Sequence, residues 1–157
     1  KNKESKIILV LHRRDEEEIL KFKEFTSFTG TVSYGEHKDK FTGTIVPNAR
    51  LAIGSNIMAK ELKKYGVKEE KTFTAKIKLL ENDLAFWRGL ICGDGHIGNS
   101  SNLPQIELTG SWEICEQFKT YCNQFVDTNA NVNPDKTIFR YRLSGHPAYK
   151  VIEKLFY

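Results

Sequence analysis

The chain has 157 residues, of which 39% are hydrophobic and 28% charged, and a formal net charge of +4. That length suits one domain or two small similar halves, and the mildly basic balance permits a nucleic-acid partner without requiring one. Cys92, Cys115 and Cys122 are odd in number and lack C-x-x-C spacing, which speaks against a disulfide framework or a zinc site.

In chain order, IILVL (7–11) reads as a strand, and Asp15 is placed to cap a helix over EEEILKFKEF, with Ile19, Leu20, Phe22 and Phe25 at helical spacing. GTVSYGEHKDKFTGTIV reads as a hairpin and RLAI as a further short strand. SNIMAKELKKYGV reads as a helix capped by Ser55 and stopped at Gly66. After KEEKTFTAKIKLLEND comes a helix at LAFWRGLICGDG and a turn at HIGNSSN. PQIEL is then a strand, Ser111 caps a helix over WEICEQFKTYCNQF, TIFRYRL is a strand, and SGHPAYKVIEKLFY is a last helix with Pro147 in its first turn. The order strand, helix, hairpin, helix occurs twice, and RLAIGSNIMAKELKKY matches YRLSGHPAYKVIEKLF in character. Two copies make a pseudo-symmetric domain and not a solenoid. The expected division is a first repeat over 1–67, a linker over 68–81 and a second repeat over 82–157. Only the second has a leading helix.

That helix poses the functional question. Gly89 and Gly93 each weaken a helix by roughly 1 kcal/mol relative to alanine, and spacing of four lets another helix backbone approach closely. Asp94 closes the helix, where the dipole opposes a carboxylate by about 0.3–1 kcal/mol. A plain reading makes Asp94 a turn residue before Gly95. A functional one makes it an oxygen ligand for a divalent cation, which would reverse the unfavourable sign. Downstream, Gln105, Glu107 and Thr109 alternate with Ile106 and Leu108, as Arg140 and Arg142 do with Tyr141 and Leu143, the pattern of a sheet with one polar face.

WRGLICGDG (87–95) resembles the motif of the LAGLIDADG homing endonucleases at Gly89, Leu90, Ile91, Gly93, Asp94 and Gly95, departing at Trp87, Arg88 and Cys92. IELTGSWEICEQF and YRLSGHPAYKVIEKLFY resemble that family's strand–helix segments, and the first half resembles the N-terminal half of a monomeric member. The resemblance implies an α+β fold of tandem αββαββα repeats, with two antiparallel sheets forming a saddle over the major groove of double-stranded DNA. It also implies two motif helices packed together, with acidic ends that hold Mg²⁺ at the scissile phosphates, where Ca²⁺ substitutes without supporting catalysis. The metals generate a hydroxide nucleophile and stabilise the leaving oxygen. Asp94 becomes the catalytic residue and, with Gly93, the metal-binding position, while Gly89 and Gly93 form the helix interface. The partner carboxylate belongs to a first motif helix that the sequence does not include. A full-length form is expected to be a monomer, and the chain as it stands a homodimer through the Gly89/Gly93 face. The family's basic residue before each terminal helix falls at Asn56 and His146, with Lys60 and Lys150 read as solvated.

Expected DNA contacts are Gln105, Glu107, Thr109, Arg140 and Arg142, with Asn99 and Asn102 in the turn. In the first half they are Arg50, Thr31, Ser33, Lys38, Lys40, Thr42 and Thr44. Ile8 and Val10 are apolar at the matching positions, suited to thymine methyls unless the register is shifted by one. The cysteines read as core thiols in a reducing, intracellular compartment, such as a prokaryotic or phage-host cytoplasm or an organelle matrix. No signal-peptide pattern is visible, and no apolar run nears the ~20 residues of a membrane span. The leading expectation is a Mg²⁺-dependent, site-specific DNA endonuclease. The alternatives are a cleavage-deficient DNA-binding regulator or RNA maturase of the same fold, and a structural dimerisation domain.

Overall fold

Alternating apolar and polar residues build two antiparallel sheets in the computed structural model of the chain, which describes residues 5–39, 42–67 and 75–157. The chain forms two compact units, Lys1–Glu61 and Leu62–Tyr157. Five helices accompany the sheets among the described residues, an α+β architecture.

In the first unit, β1 (Lys6–His12) leads through a 3-10 turn, Arg13–Asp15, into α1 (Glu16–Phe25), followed by β2 (Ser33–Lys38) and β3 (Ile45–Gly54). Asp15 stands at the start of α1 without a side-chain cap bond; His12 Nδ1 instead accepts from the Arg14 amide at 3.1 Å. The strands lie in the order β1-β3-β2. β3 joins the hairpin's return arm and RLAI into one strand. Pro47, which has no N–H to give, sits one residue beyond the last β1 pair, His12 with Asn48, so β3 there has a neighbour on the β2 side alone. Ile19 and Phe22 of α1 pack on Leu9, Leu11, Ala49, Leu51 and Ile53, leaving Ile8 and Val10 exposed on the other face. α2 (Asn56–Lys64) starts with the Met58 amide donating to Ser55 Oγ at 3.1 Å.

The second unit holds α3 (Leu84–Asp94), β4 (Gly95–Ser100), β5 (Leu103–Gly110), α4 (Trp112–Cys122), β6 (Asn133–Asp135), β7 (Ile138–Ser144) and α5 (His146–Phe156), the full αββαββα order. Its strands lie β4-β5-β7-β6. The segment HIGNSSN is mostly strand. Ser101 and Asn102 both have positive φ and make a two-residue hairpin loop of the kind that suits strand twist, so β4 runs on to Ser100. The three helices share one core with Ile106, Leu108, Tyr141 and Leu143. Residues 68–74 of the expected linker lie outside the described residues. Its later part is tied to this unit: Ile77 is buried, and its amide and carbonyl pair with the Gln117 side-chain amide at 2.9 and 3.0 Å.

From β1 onward the first unit repeats the second from β5 onward. Strand orders β1-β3-β2 and β5-β7-β6 match, as do the links from Ser55 N–H to Ser5 O at 3.0 Å and from Gly145 N–H to Pro104 O at 2.8 Å. The register places Ser33 opposite Arg50 and Asn133 opposite Arg140. Matching RLAIGSN to YRLSGHP on their glycines is therefore one residue out. Gly54 corresponds to Ser144, which aligns buried Leu51 and Ile53 with buried Tyr141 and Leu143.

The glycines of α3 differ in what they serve. A Cβ on Gly95 would come within 2.7 Å of Ile91 O and 2.8 Å of Ile91 Cα, backbone that cannot yield cheaply. A Cβ on Gly89 or Gly93 would meet nothing within 4 Å among the described residues. We predict that Gly95→Ala lowers stability by about 1–3 kcal/mol through overpacking. Gly89→Ala should raise it by about 1 kcal/mol through helix propensity. Urea denaturation of both variants checks the two signs.

Candidate nucleic-acid interface

Because Ile106, Leu108, Tyr141 and Leu143 turn into the core, their neighbours in β5 and β7 turn to the opposite face. Register sets Glu107 opposite Arg142 and Thr109 opposite Arg140. Glu107, 12% exposed, is the hub: Arg142 Nε donates to its Oε2 at 2.6 Å, and Arg140 Nε lies 3.3 Å from its Oε1. Arg140 Nη2 also donates to Asp135. Gln105, nearly buried, donates to Glu107 Oε2 at 3.3 Å. Two cations and two carboxylates thus cancel within the cluster.

The placements of the other expected contacts vary. Asn102 is exposed in the hairpin loop. Asn99 is not in the turn. It pairs with Pro104 in β4 and shares the face of Ile97 and Ile106, opposite the arginines. His96 takes the arginine side, opposite Glu107, with its ring over Gly98, where a Cβ would lie 2.7 Å from His96 Nε2. In the first unit, Arg50 is exposed in β3 and is flanked by Val10 and Ser33. Lys38, at the end of β2, alternates with His37 and so belongs to the face of Tyr34 and Glu36; His37 is the residue on Arg50's side, its Nδ1 3.5 Å from Asn48 Nδ2. Lys40 lies outside the described residues. Thr31 and Thr44 are exposed, and Thr42 bonds to Asp39 through its amide and hydroxyl at 2.7 and 2.9 Å. The signal for His96, His37 and Asn48 was strand alternation carried through glycine-containing segments.

Corresponding positions on the two sheets are chemically unequal. Arg50 matches Arg140, but Ile8 stands where the second unit has Glu107, and Ala52 where it has Arg142.

α3 is fixed by Trp87, fully buried, whose Nε1 donates to Glu81 O at 2.8 Å and whose ring packs on Phe118 and Tyr121. Asp83 caps the helix start at the Phe86 amide, 2.7 Å away. Trp87 and Ile91 face inward, so Ala85, Arg88, Gly89, Cys92 and Gly93 face outward, and Asp94 is exposed at the last turn. Asp94 does not complete a cation site: among the described residues no three His, Cys, Asp or Glu side chains cluster. Asn56 and His146 open α2 and α5 at matching positions, and both are exposed, as are Lys60 and Lys150.

No family model and no curated protein sequence matches the chain. Solved structures do. The homing endonuclease I-WcaI bound to its DNA recognition sequence is similar with a TM-score of 0.66 at 16% identity, over 100% of this chain and 74% of that one. The N-terminal LAGLIDADG domain of DUF199/WhiA gives 0.57 at 16% identity, over 100% and 73%. A double mutant of I-SmaMI gives 0.59 at 10% identity, over 96% and 74%. The chain has the LAGLIDADG fold.

Cys92 does not join the core as expected, because it lies on the outward side of α3. Cys115 and Cys122 are buried, and burial raises both thiols, Cys115 to about 11. We predict that, in the folded chain with the α3 face uncovered, a thiol reagent at neutral pH modifies Cys92 alone, and all three on unfolding, as mass spectrometry would count. Rapid modification of Cys115 or Cys122 in the native state would contradict this packing.

Proposed function

We propose that this chain binds double-stranded DNA site-specifically, presenting the open sheet faces to the major groove. We propose further that it is a homing endonuclease dependent on Mg²⁺. The observation that supports DNA recognition most is the Glu107-ordered pair Arg140 and Arg142 on an uncovered sheet face of a LAGLIDADG fold. A guanidinium fixed in direction by a carboxylate suits a base edge better than a phosphate, whose capture needs only loose charge.

Cleavage asks for more than this chain's described residues hold. Asp94, beside Gly93, is the carboxylate it contributes, and a second acidic group must arrive along the outward face of α3. Gly89 and Gly93 add no side chain to that face beside Ala85, Arg88 and Cys92, so a second motif helix fits there, from a longer form of the chain or from another copy. No helix among the described residues is long and apolar enough to cross a membrane.

The test compares parent and Asp94→Asn in the longest available form of the protein, on a duplex selected for binding. We expect both to bind in Ca²⁺, the parent alone to cut in Mg²⁺, and Asp94→Asn to be as stable as the parent or more so in chelator, by up to about 1 kcal/mol. Sedimentation should show the α3 face occupied, with Cys92 shielded from thiol reagents in the assembled form. Equal cutting by both proteins would remove Asp94 from the chemistry. Binding without any cutting by the parent would favour the regulator or maturase reading, and no binding at all would favour an interaction domain.

A further inference from the structure

The two arginines beside Glu107 are held differently. Arg142 is fixed through Nε alone, by its 2.6 Å bond to Glu107 Oε2, and its side chain is 45% exposed. Among the described residues nothing engages its two terminal nitrogens, so the forked end of the guanidinium stays available. Arg140 is bracketed by two carboxylates, Asp135 at Nη2 and Glu107 at Nε, and is the less exposed of the pair. Glu107 Oε2 accepts from both Arg142 and Gln105, while Oε1 faces Arg140 Nε at 3.3 Å as an ion pair without a hydrogen bond.

We propose that Arg142 is the guanine reader of this surface, held for end-on, two-bond contact with guanine O6 and N7 by Glu107, and that Arg140 braces Glu107 without reading a base. The proposal rests on the DNA-binding reading above and narrows it to one base pair. Guanine presents two acceptors side by side in the major groove, and the terminal nitrogens of a guanidinium present two parallel donors at matching spacing. An arginine free to swing would lose rotamer freedom on binding; one already tied at Nε to a nearly buried carboxylate has lost much of it beforehand. The charge balance points the same way. Arg140 and Arg142 are offset by Glu107 and Asp135, so this cluster contributes little long-range attraction for phosphates, and its value lies in directed hydrogen bonds.

The equivalent positions in the first unit sharpen the assignment. Ile8 and Ala52 replace Glu107 and Arg142 there, so neither the fork nor its clamp is present. One such guanine contact is therefore expected per chain.

The experiment is selection of preferred duplexes from a randomised library by the whole chain, in EDTA so that cutting does not compete. Parent, Arg142→Ala, Arg142→Lys, Arg140→Ala and Glu107→Gln are compared, with a melting curve for each. The parent should enrich a motif containing one strongly preferred guanine. Arg142→Ala and Arg142→Lys should both lose discrimination at that base pair by about 5- to 150-fold while keeping the rest of the motif. Lysine keeps the charge but not the fork, so its failure to rescue marks a geometric requirement and not an electrostatic one. Glu107→Gln should give an intermediate loss at the same base pair, with affinity for random DNA unchanged or raised. Arg140→Ala should reduce discrimination at that base pair no more than Glu107→Gln does, through the loosened Glu107, and leave the preferred base at each position unchanged. An unchanged motif in Arg142→Ala would overturn the assignment while leaving DNA recognition standing. So would loss of the guanine in Arg140→Ala alone, or a Glu107→Gln defect at a different base pair. A parent that enriches no motif would overturn the DNA-binding reading and the guanine assignment with it.

Discussion

The polar sheet face of the second unit depends on the antiparallel register between β5 and β7. That pairing commits Ile106, Leu108, Tyr141 and Leu143 to a core shared with three helices. With those positions fixed, the residues between them have no choice of side. A one-residue slip of either strand would turn its polar residues inward, Glu107 on β5 or Arg140 and Arg142 on β7, and expose its two large apolar side chains, each worth about 1.5–3 kcal/mol when buried. The hydrophobic core and the polar face are therefore a single choice. Buried groups in these strands do the work of aiming exposed ones.

The same economy governs α3. Trp87 and Ile91 anchor the helix inward, so its small residues are turned away from the unit's own core. Gly95 then ends it by letting the strand leave directly over the Ile91 backbone, which sets Asp94 at the tip. Gly89 and Gly93 cost helix stability without improving packing inside the unit. The proposed function gives them a role in admitting a second helix from outside, a different relation between sequence and stability from that at Gly95.

Much of this was legible in the sequence, and for stated reasons. Strand alternation located the polar face, Ser111 and Pro147 located helix starts, and the Asp94-Gly95 pair located the end of α3. The failures have physical causes too. β3 looked like two strands because a proline in a strand usually marks a break, and its tolerance here depends on where β1 ends, a long-range fact. The hairpin at Ser101 and Asn102 lacks glycine at either loop position, so the chain looked like an extended turn and Asn99 was assigned to it. Glycines in β2 and β4 obscured the alternation that puts His37 and His96 on the polar faces. Matching the repeats on glycine instead of on buried positions shifted the register by one. The ion pairs of Glu107 with Arg140 and Arg142 join residues 33 and 35 positions apart, and no local pattern announces them.

The inequality between Ile8 with Ala52 and Glu107 with Arg142 has a consequence for the symmetry of a preferred site. The backbone of the two units repeats closely, but the chemistry displayed on it does not. A branched aliphatic residue of the first unit occupies the place that the clamping carboxylate holds in the second, and an alanine the place of the clamped guanidinium. Under the proposed reading the two faces would prefer different base pairs, so a preferred site need not be two inverted copies of one half-sequence.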